Sequence, residues 1–236
     1  MQSSSDPNRR NDIWGWFRDS STRRGWIIDA NDGIIATAGI LQGFAGAGAG
    51  DRLLMFTATA ATIAGGLSTG GTKWAEIASE REAQLSIAQV EQSELERDPE
   101  AEIQELTVHW QTRGLEPELA RVVAERLTAH DALSAQLEAE YGFDEPMPAA
   151  VPLLSGLATC VAFVAGALIP LLITYFAPVN IETWAILGAV VVALAITSVV
   201  SARAAHLSTA RTLGRSLTVG GLTLLVSYVA GELLLG

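Results

Sequence analysis

The chain is poor in sulfur, poor in aromatic residues and poor in positive charge. Cys160 is its single cysteine among 236 residues, which excludes an internal disulfide and a thiolate metal cluster. Any metal site must therefore use carboxylates, with three histidines as the other candidates. Basic residues number 15 against 26 acidic ones, for a net charge of −11. A phosphate-binding surface needs clustered Lys and Arg, so no nucleic-acid partner is expected. The opening segment MQSSSDPNRRND is polar and lacks the apolar core of a secretory signal. No Ser/His/Asp arrangement or nucleotide motif is visible. The glycine-rich run after Leu41 lacks the strand–turn–helix context and the lysine of a phosphate loop.

Apolar residues nevertheless make up 49% of the chain, and the mean hydropathy is positive. These facts are reconciled if the charge is concentrated in one place. Between Glu76 and Glu145 there are 18 acidic and 5 basic residues, which leaves the rest of the chain close to neutral. On either side lie five stretches long enough to span a bilayer, which takes roughly 20 helical residues. They run over Ile27–Ala49, Leu53–Gly71, Pro152–Ala177, Thr183–Ala202 and Leu217–Leu235. The first carries Asp29, Asn31, Asp32 and Gln42, and the second is rich in Gly, Ala, Ser and Thr, which suit close helix packing in membranes. Of the 15 basic residues, 14 fall on one side of such a five-span arrangement and only Arg52 falls on the other. The positive-inside rule then places the N-terminus and the acidic insert in the cytoplasm.

The sequence predicts an all-α protein: a five-span transmembrane helical bundle with a cytoplasmic three-helix acidic insert between spans 2 and 3. The expected organisation is an N-terminal arm over 1–24, spans 1 and 2 over 25–72, the insert over 73–145 and spans 3 to 5 over 146–236. Within the insert, the second span is expected to run on as one helix from Lys73 to Arg97. Asp98-Pro99-Glu100 then reads as a helix start, with Asp as N-cap and Pro at the first helical position. That helix carries the apolar stripe Ile103, Leu106 and Trp110 and ends near Gly114. Glu116-Pro117-Glu118 opens a third helix, with the stripe Leu119, Val122, Val123, Leu127, Leu133 and Leu137 and a stop at Gly142. Pro146 and Pro148 lead into the third span.

The chemistry is concentrated in spaced carboxylates. Glu91 and Glu94, and again Glu102 and Glu105, are three residues apart, so each pair shares one helix face. Two such helices facing each other surround a hard divalent cation with oxygen ligands; the alternative is a solvated acidic face. Asp32 lies within an apolar span, where a carboxylate faces a cavity or a partner and marks an ion or proton pathway. Its alternative is a helix cap at the interface. The polar AsnAspGly step also suggests a locally unwound helix with exposed carbonyl oxygens. Asp29 and Glu232 read as interfacial. His109 and His130 do not follow a glutamate at the three-residue spacing of di-iron carboxylate proteins, and His206 gives no catalytic signal.

The segment ANDGIIATAGILQGFAGAGAG resembles the first membrane helix of the vacuolar iron transporter family. AGGLSTGGTKWAEIASERE resembles its second, and DPEAEIQEL with RGLEPELARVVAERLTAHDAL resembles its cytoplasmic metal-binding insert. The resemblance implies five spans, a homodimer with a pathway at the subunit interface, and export of ferrous iron or similar divalent metals from the cytoplasm in exchange for protons. It implies that Asp32 is the intramembrane pathway aspartate and that Glu91, Glu94, Glu102 and Glu105 are the paired insert ligands. Glu140, in EYGF, resembles a fifth ligand from the third helix. The chain departs from the family where a pathway methionine is replaced by Thr69, an acidic residue by Thr62, and insert methionines by Gln136 and Leu137. Thr69 offers a hard oxygen in place of a soft thioether, which discriminates less in favour of iron.

The leading expectation is a non-enzymatic exporter of Fe²⁺ or Mn²⁺, with Co²⁺ and Zn²⁺ also possible cargo. It is expected to have no permanently bound cofactor, to exchange metal for protons and to sit as a homodimer in the lipid bilayer of the plasma membrane. The rivals are a membrane-anchored di-iron carboxylate oxidase or iron-storage protein, and an acidic membrane scaffold for a basic partner.

Overall fold

The computed structural model describes residues 20–176, 182–204 and 208–235, and the elements among them are all helical. In chain order they are α1 (Ser20–Gly46), α2 (Asp51–Arg97), α3 (Pro99–Thr112), α4 (Pro117–Tyr141), α5 (Val151–Phe176), α6 (Glu182–Ala204) and α7 (Thr209–Leu235). Most of the N-terminal arm, most of the connection before α6, and His206 lie outside the described residues. The chain divides into two compact units, one of residues 1–75 with 152–236 and one of Glu76–Val151, and the first boundary falls within α2.

In the first unit, α2, α5, α6 and α7 are each long and apolar enough to cross a membrane. Their outward faces carry large apolar side chains such as Phe56, Val161, Phe176, Val192 and Leu225, more than half exposed, as expected of surfaces that meet lipid rather than water. At 27 residues α1 is long enough as well, but Asp29, Asn31, Asp32 and Gln42 lower its apolarity below that of the other four. A buried core of Ile34, Ala38, Leu41, Leu54, Ala58, Leu171, Ile186, Val190, Leu194 and Leu224 joins α1 to α2, α5, α6 and α7.

Glycines set the closeness of these contacts. A Cβ at Gly33 would run into the Phe163 carbonyl of α5, and one at Gly166 into the Ala30 carbonyl of α1. The expected unwinding at Asn31-Asp32-Gly33 is not found, because α1 is helical throughout, and Gly33 serves the crossing with α5. Gly39, Gly43 and Gly46, at three- and four-residue intervals on one face of α1, pack against Ser227 and Tyr228 of α7 in the same chain. Gly50, the fourth of that series, has open space where a Cβ would stand. Asp29, expected at the interface, accepts a 2.9 Å hydrogen bond from the buried Thr159 hydroxyl of α5.

The second unit packs α3 on α4, beside the C-terminal part of α2. Asp98 caps α3, its side chain accepting from the Ala101 amide at 3.2 Å with Pro99 behind it. Gly142 ends α4 in the left-handed conformation that glycine adopts most readily, at φ 78°. Contrary to the continuous helix expected there, α4 is interrupted at Asp131, whose carboxylate accepts from the Ser134 amide and caps the second half anew. The predicted stripe also shifts. Leu119 and Val122 are exposed, and Ala120 and Ala124 are buried in their place, because small side chains let helices approach more closely. Arg81 donates to the Met147 carbonyl and Gln84 accepts from the Met147 amide, which ties the segment after α4 to α2.

Candidate metal centre

The turn at Arg97-Asp98-Pro99 folds α3 back beside α2, so Glu102 of the second pair meets Glu91 and Glu94 of the first. One carboxylate oxygen from each of Glu91, Glu94 and Glu102 lies within 4.8 Å of those of the other two. Oxygens 2.0–2.6 Å from one cation are at most about 5 Å apart across it, so this spacing suits a single hard divalent ion. Glu91 is 2% exposed and Glu102 is 6% exposed, and Oε1 of Glu91 has no hydrogen-bond partner. A buried carboxylate oxygen with nothing to accept from is suited to a cation.

Glu105 and Glu140, the other two predicted ligands, are exposed and lie outside this three-carboxylate cluster, but their charges act on it. Burial raises the Glu91 carboxyl to about 7, helped by the Glu140 charge, a hydrogen bond with Glu102 and the charges of Glu102 and Glu94. Burial also raises Glu102, although the proton of Glu91 and the Arg97 guanidinium pull the other way. Glu140 is raised by burial and then by a hydrogen bond and charge repulsion from Glu105. The hydrogen bond between the Glu91 and Glu102 carboxyls offsets part of their mutual repulsion. Glu94 stands 3.8 Å from exposed Arg97, a weak pair at that distance and exposure.

A residue noted in the sequence only as a replacement proves central to the geometry. Gln136 of α4 is 1% exposed and its Nε2 donates to both the backbone carbonyl and Oε2 of Glu102, at 2.7 and 2.9 Å. Its position at the buried end of a stripe gave no sign of this role, because the contact depends on how α3 and α4 cross. Tyr141 joins the same environment, its hydroxyl raised by burial and by the Glu140 and Glu91 charges. Neither His109 nor His130 is among the clustered ligands. His109 packs edge-on against Trp110, with burial and Arg113 lowering its pKa, and His130 is exposed.

The two predicted pathway residues lie in the other unit. Asp32 is exposed on α1, on the same face as exposed Ile28 and Ala36. Thr69 is half-buried on α2, its hydroxyl donating to the Gly65 and Gly66 carbonyls at 2.9 and 3.2 Å. No hydrogen bond joins the two. Thr62, the other replacement, is buried and lies 3.3 Å from the Thr37 hydroxyl of α1 while donating to Ala58.

Long apolar helices and a separate unit with a buried carboxylate site define a multi-pass helical integral membrane protein with an acidic module. The chain belongs to the VIT family, whose family model matches residues 23–232. A vacuolar iron transporter from Acanthamoeba castellanii is 31% identical over 75% of this chain and 60% of its own length. Vacuolar iron transporter 1 of Tulipa gesneriana is 27% identical over 69% of this chain and 66% of its own. Vacuolar iron transporter 2 of Oryza sativa subsp. japonica is 29% identical over 64% of this chain and 62% of its own. The chain thus spans less than two thirds of the length of these curated relatives.

Proposed function

We propose that the protein is a divalent metal transporter that exports Fe²⁺ or Mn²⁺ from the cytoplasm in exchange for protons. The observation that carries this reading is the Glu91–Glu94–Glu102 cluster, with Glu91 and Glu102 buried and one oxygen of Glu91 unpartnered, in a chain whose relatives are named as iron transporters. The 73–145 module captures metal through Glu91, Glu94, Glu102, Glu105 and Glu140 and raises its concentration near the membrane. Asp32 then binds metal and proton in turn, which gives exchange without a fuel-binding motif. Thr69 contributes a hard oxygen to the pathway. Co²⁺ and Zn²⁺ are further candidate cargo, because no sulfur ligand favours one metal. No resident cofactor or enzymatic step is needed.

The arrangement proposed is five spans, with α1 as the first and with the N-terminus and insert in the cytoplasm, supported by the distribution of basic residues. Asp32 supports a homodimer. A carboxylate on the outward face of a span is costly against lipid, and a second copy covering Ile28, Asp32 and Ala36 encloses it in a shared pathway. Oxidative cross-linking of Ala36→Cys in a Cys160→Ser background tests that interface, and a chain that stays monomeric at every concentration contradicts it. The plasma membrane is the proposed location, and fractionation tests it against the vacuolar membrane for which the relatives are named.

Proteoliposome flux of Fe²⁺, Mn²⁺, Co²⁺ and Zn²⁺, with and without a pH gradient, tests the transport reading. Metal movement that depends on the gradient supports it. Stoichiometric oxygen consumption on Fe²⁺ addition without flux assigns the chain to the oxidase class instead.

A further inference from the structure

Two buried side-chain oxygens in the acidic module have no hydrogen-bond partner, Oε1 of Glu91 and Oε1 of Gln136. The amide nitrogen of Gln136 donates to two acceptors of Glu102, the backbone carbonyl and Oε2, at 2.7 and 2.9 Å. Only the nitrogen end of an amide can donate, so these contacts fix which way the group is turned and identify the remaining atom as the carbonyl oxygen. That oxygen accepts from no donor, in a side chain that is 1% exposed. A buried carbonyl without a donor is unfavourable, because the water it gave up on folding has not been replaced.

Both orphans belong to residues bonded to the same carboxylate. Glu91 and Glu102 share a hydrogen bond between their carboxyls, and Gln136 donates to Oε2 of Glu102. The nitrogen and oxygen of an amide head are about 2.3 Å apart, so Oε1 of Gln136 lies within roughly 5 Å of that carboxylate oxygen. This is the separation found across one divalent cation, where opposed oxygens are up to about 5 Å apart. Two acceptors with no donor between them are matched by a positive charge. Arg97, whose charge acts on the cluster, is exposed and pairs loosely with Glu94 at 3.8 Å, so both orphans stay unmatched.

Resting on the metal-capture reading above, we propose that Gln136 is itself a metal ligand. Its Oε1 joins Glu91, Glu94 and Glu102 around a single divalent ion, while its Nε2 keeps Glu102 in place. The ligand set is then three carboxylates and one neutral carbonyl oxygen, without nitrogen or sulfur. Such a set favours hard ions such as Mn²⁺ over thiophilic ones such as Cd²⁺. A neutral ligand also suits this crowded site, where a further carboxylate would add to the repulsion among the three. The competing occupant is a water molecule donating one proton to each orphan, in which case Gln136 only orients Glu102.

Gln136→Met and Gln136→Leu, each made in the full chain in detergent and titrated calorimetrically with Mn²⁺ and with Cd²⁺, separate these roles. Both variants lose the donor to Glu102, but only methionine supplies a new ligand atom, a soft sulfur in the place of the amide carbon. Both should bind Mn²⁺ about tenfold or more weakly than the wild type. The ratio of Cd²⁺ to Mn²⁺ affinity should be about tenfold higher in Gln136→Met than in Gln136→Leu. Equal ratios in the two variants make Gln136 an orienting residue and overturn the assignment. Should either variant not fold, the wild type labelled with ¹³C at the glutamine carboxamide carbon still decides. Electron–nuclear double resonance of its bound Mn²⁺ should show a strongly coupled carbon, and the absence of that coupling overturns the assignment. A wild type that binds no Mn²⁺ contradicts the capture site as a whole, whereas tight binding without the carbon coupling contradicts the ligand role of Gln136 alone.

Discussion

Gln136 holds Glu102 at two points, its Nε2 donating to the carbonyl oxygen and to Oε2 of that one residue. A carboxylate fixed in this way needs little reorganisation to meet a cation, and groups that orient metal ligands typically change affinity 10–100-fold when lost. Gln136→Leu keeps the volume and removes the donor. Its affinity for Mn²⁺, measured by calorimetry, is expected to fall about tenfold or more with the helical content unchanged. An unaltered affinity removes Gln136 from the site.

Metal binding by this cluster should displace protons, because Glu91 titrates near neutrality and only ionised carboxylates are good ligands. Calorimetry at pH 6.5 in two buffers of different ionisation enthalpy measures the release. The wild type is expected to lose roughly one proton per metal ion, and Glu91→Gln close to none. Glu102→Ala combined with Glu105→Ala should abolish tight binding, and unchanged stoichiometry and affinity in that variant contradict the ligand set.

The same shift makes metal-free stability depend on pH. Glu91 has a folded pKa of about 7, above the ordinary carboxylate value of 4.5, so between those values the folded state holds more protons than the unfolded one. Stability from this group is present at low pH and is lost as pH rises toward 7, a change on the order of 3 kcal/mol. Hydrogen-exchange protection of α3 amides, corrected for intrinsic rates, should be higher at pH 5 than at pH 8. Saturating Mn²⁺ should reverse the order.

The glycine contacts predict a sharp positional contrast. A Cβ at Gly231 would collide with the Gly43 carbonyl, whereas one at Gly188 meets open space. Gly231→Leu is expected to lower the folded yield and the thermal midpoint, with overpacking costing about 1–3 kcal/mol or more. Gly188→Leu should behave as wild type in the same detergent melt.

What the sequence revealed and what it hid divide along physical lines. Helix starts and stops depend on local chemistry, so Asp98-Pro99, Pro117 and Gly142 could be read directly. The glutamate pairs were also legible, because three-residue spacing fixes a shared face whatever lies beside it. Contacts that depend on helix crossing were not. The spacing of Gly39, Gly43 and Gly46 does not say which helix meets that face, and only the packing assigns it to α7. The break at Asp131 was hidden because an aspartate followed by Ser134 looks the same on a solvated helix face as at a cap. Gln136 and Thr159 act across 34 and 130 residues of sequence, beyond the reach of any local pattern.

The central claim is that Asp32 alternates between metal and proton, and Asp32→Asn tests it most directly. The change keeps the size and removes both the charge and the titratable proton. In proteoliposomes with an imposed pH gradient, the account predicts that this variant loses metal flux and the accompanying proton movement together. Mn²⁺ binding by the Glu91–Glu94–Glu102 site should remain at its wild-type affinity. Transport by Asp32→Asn at the wild-type rate would contradict the mechanism.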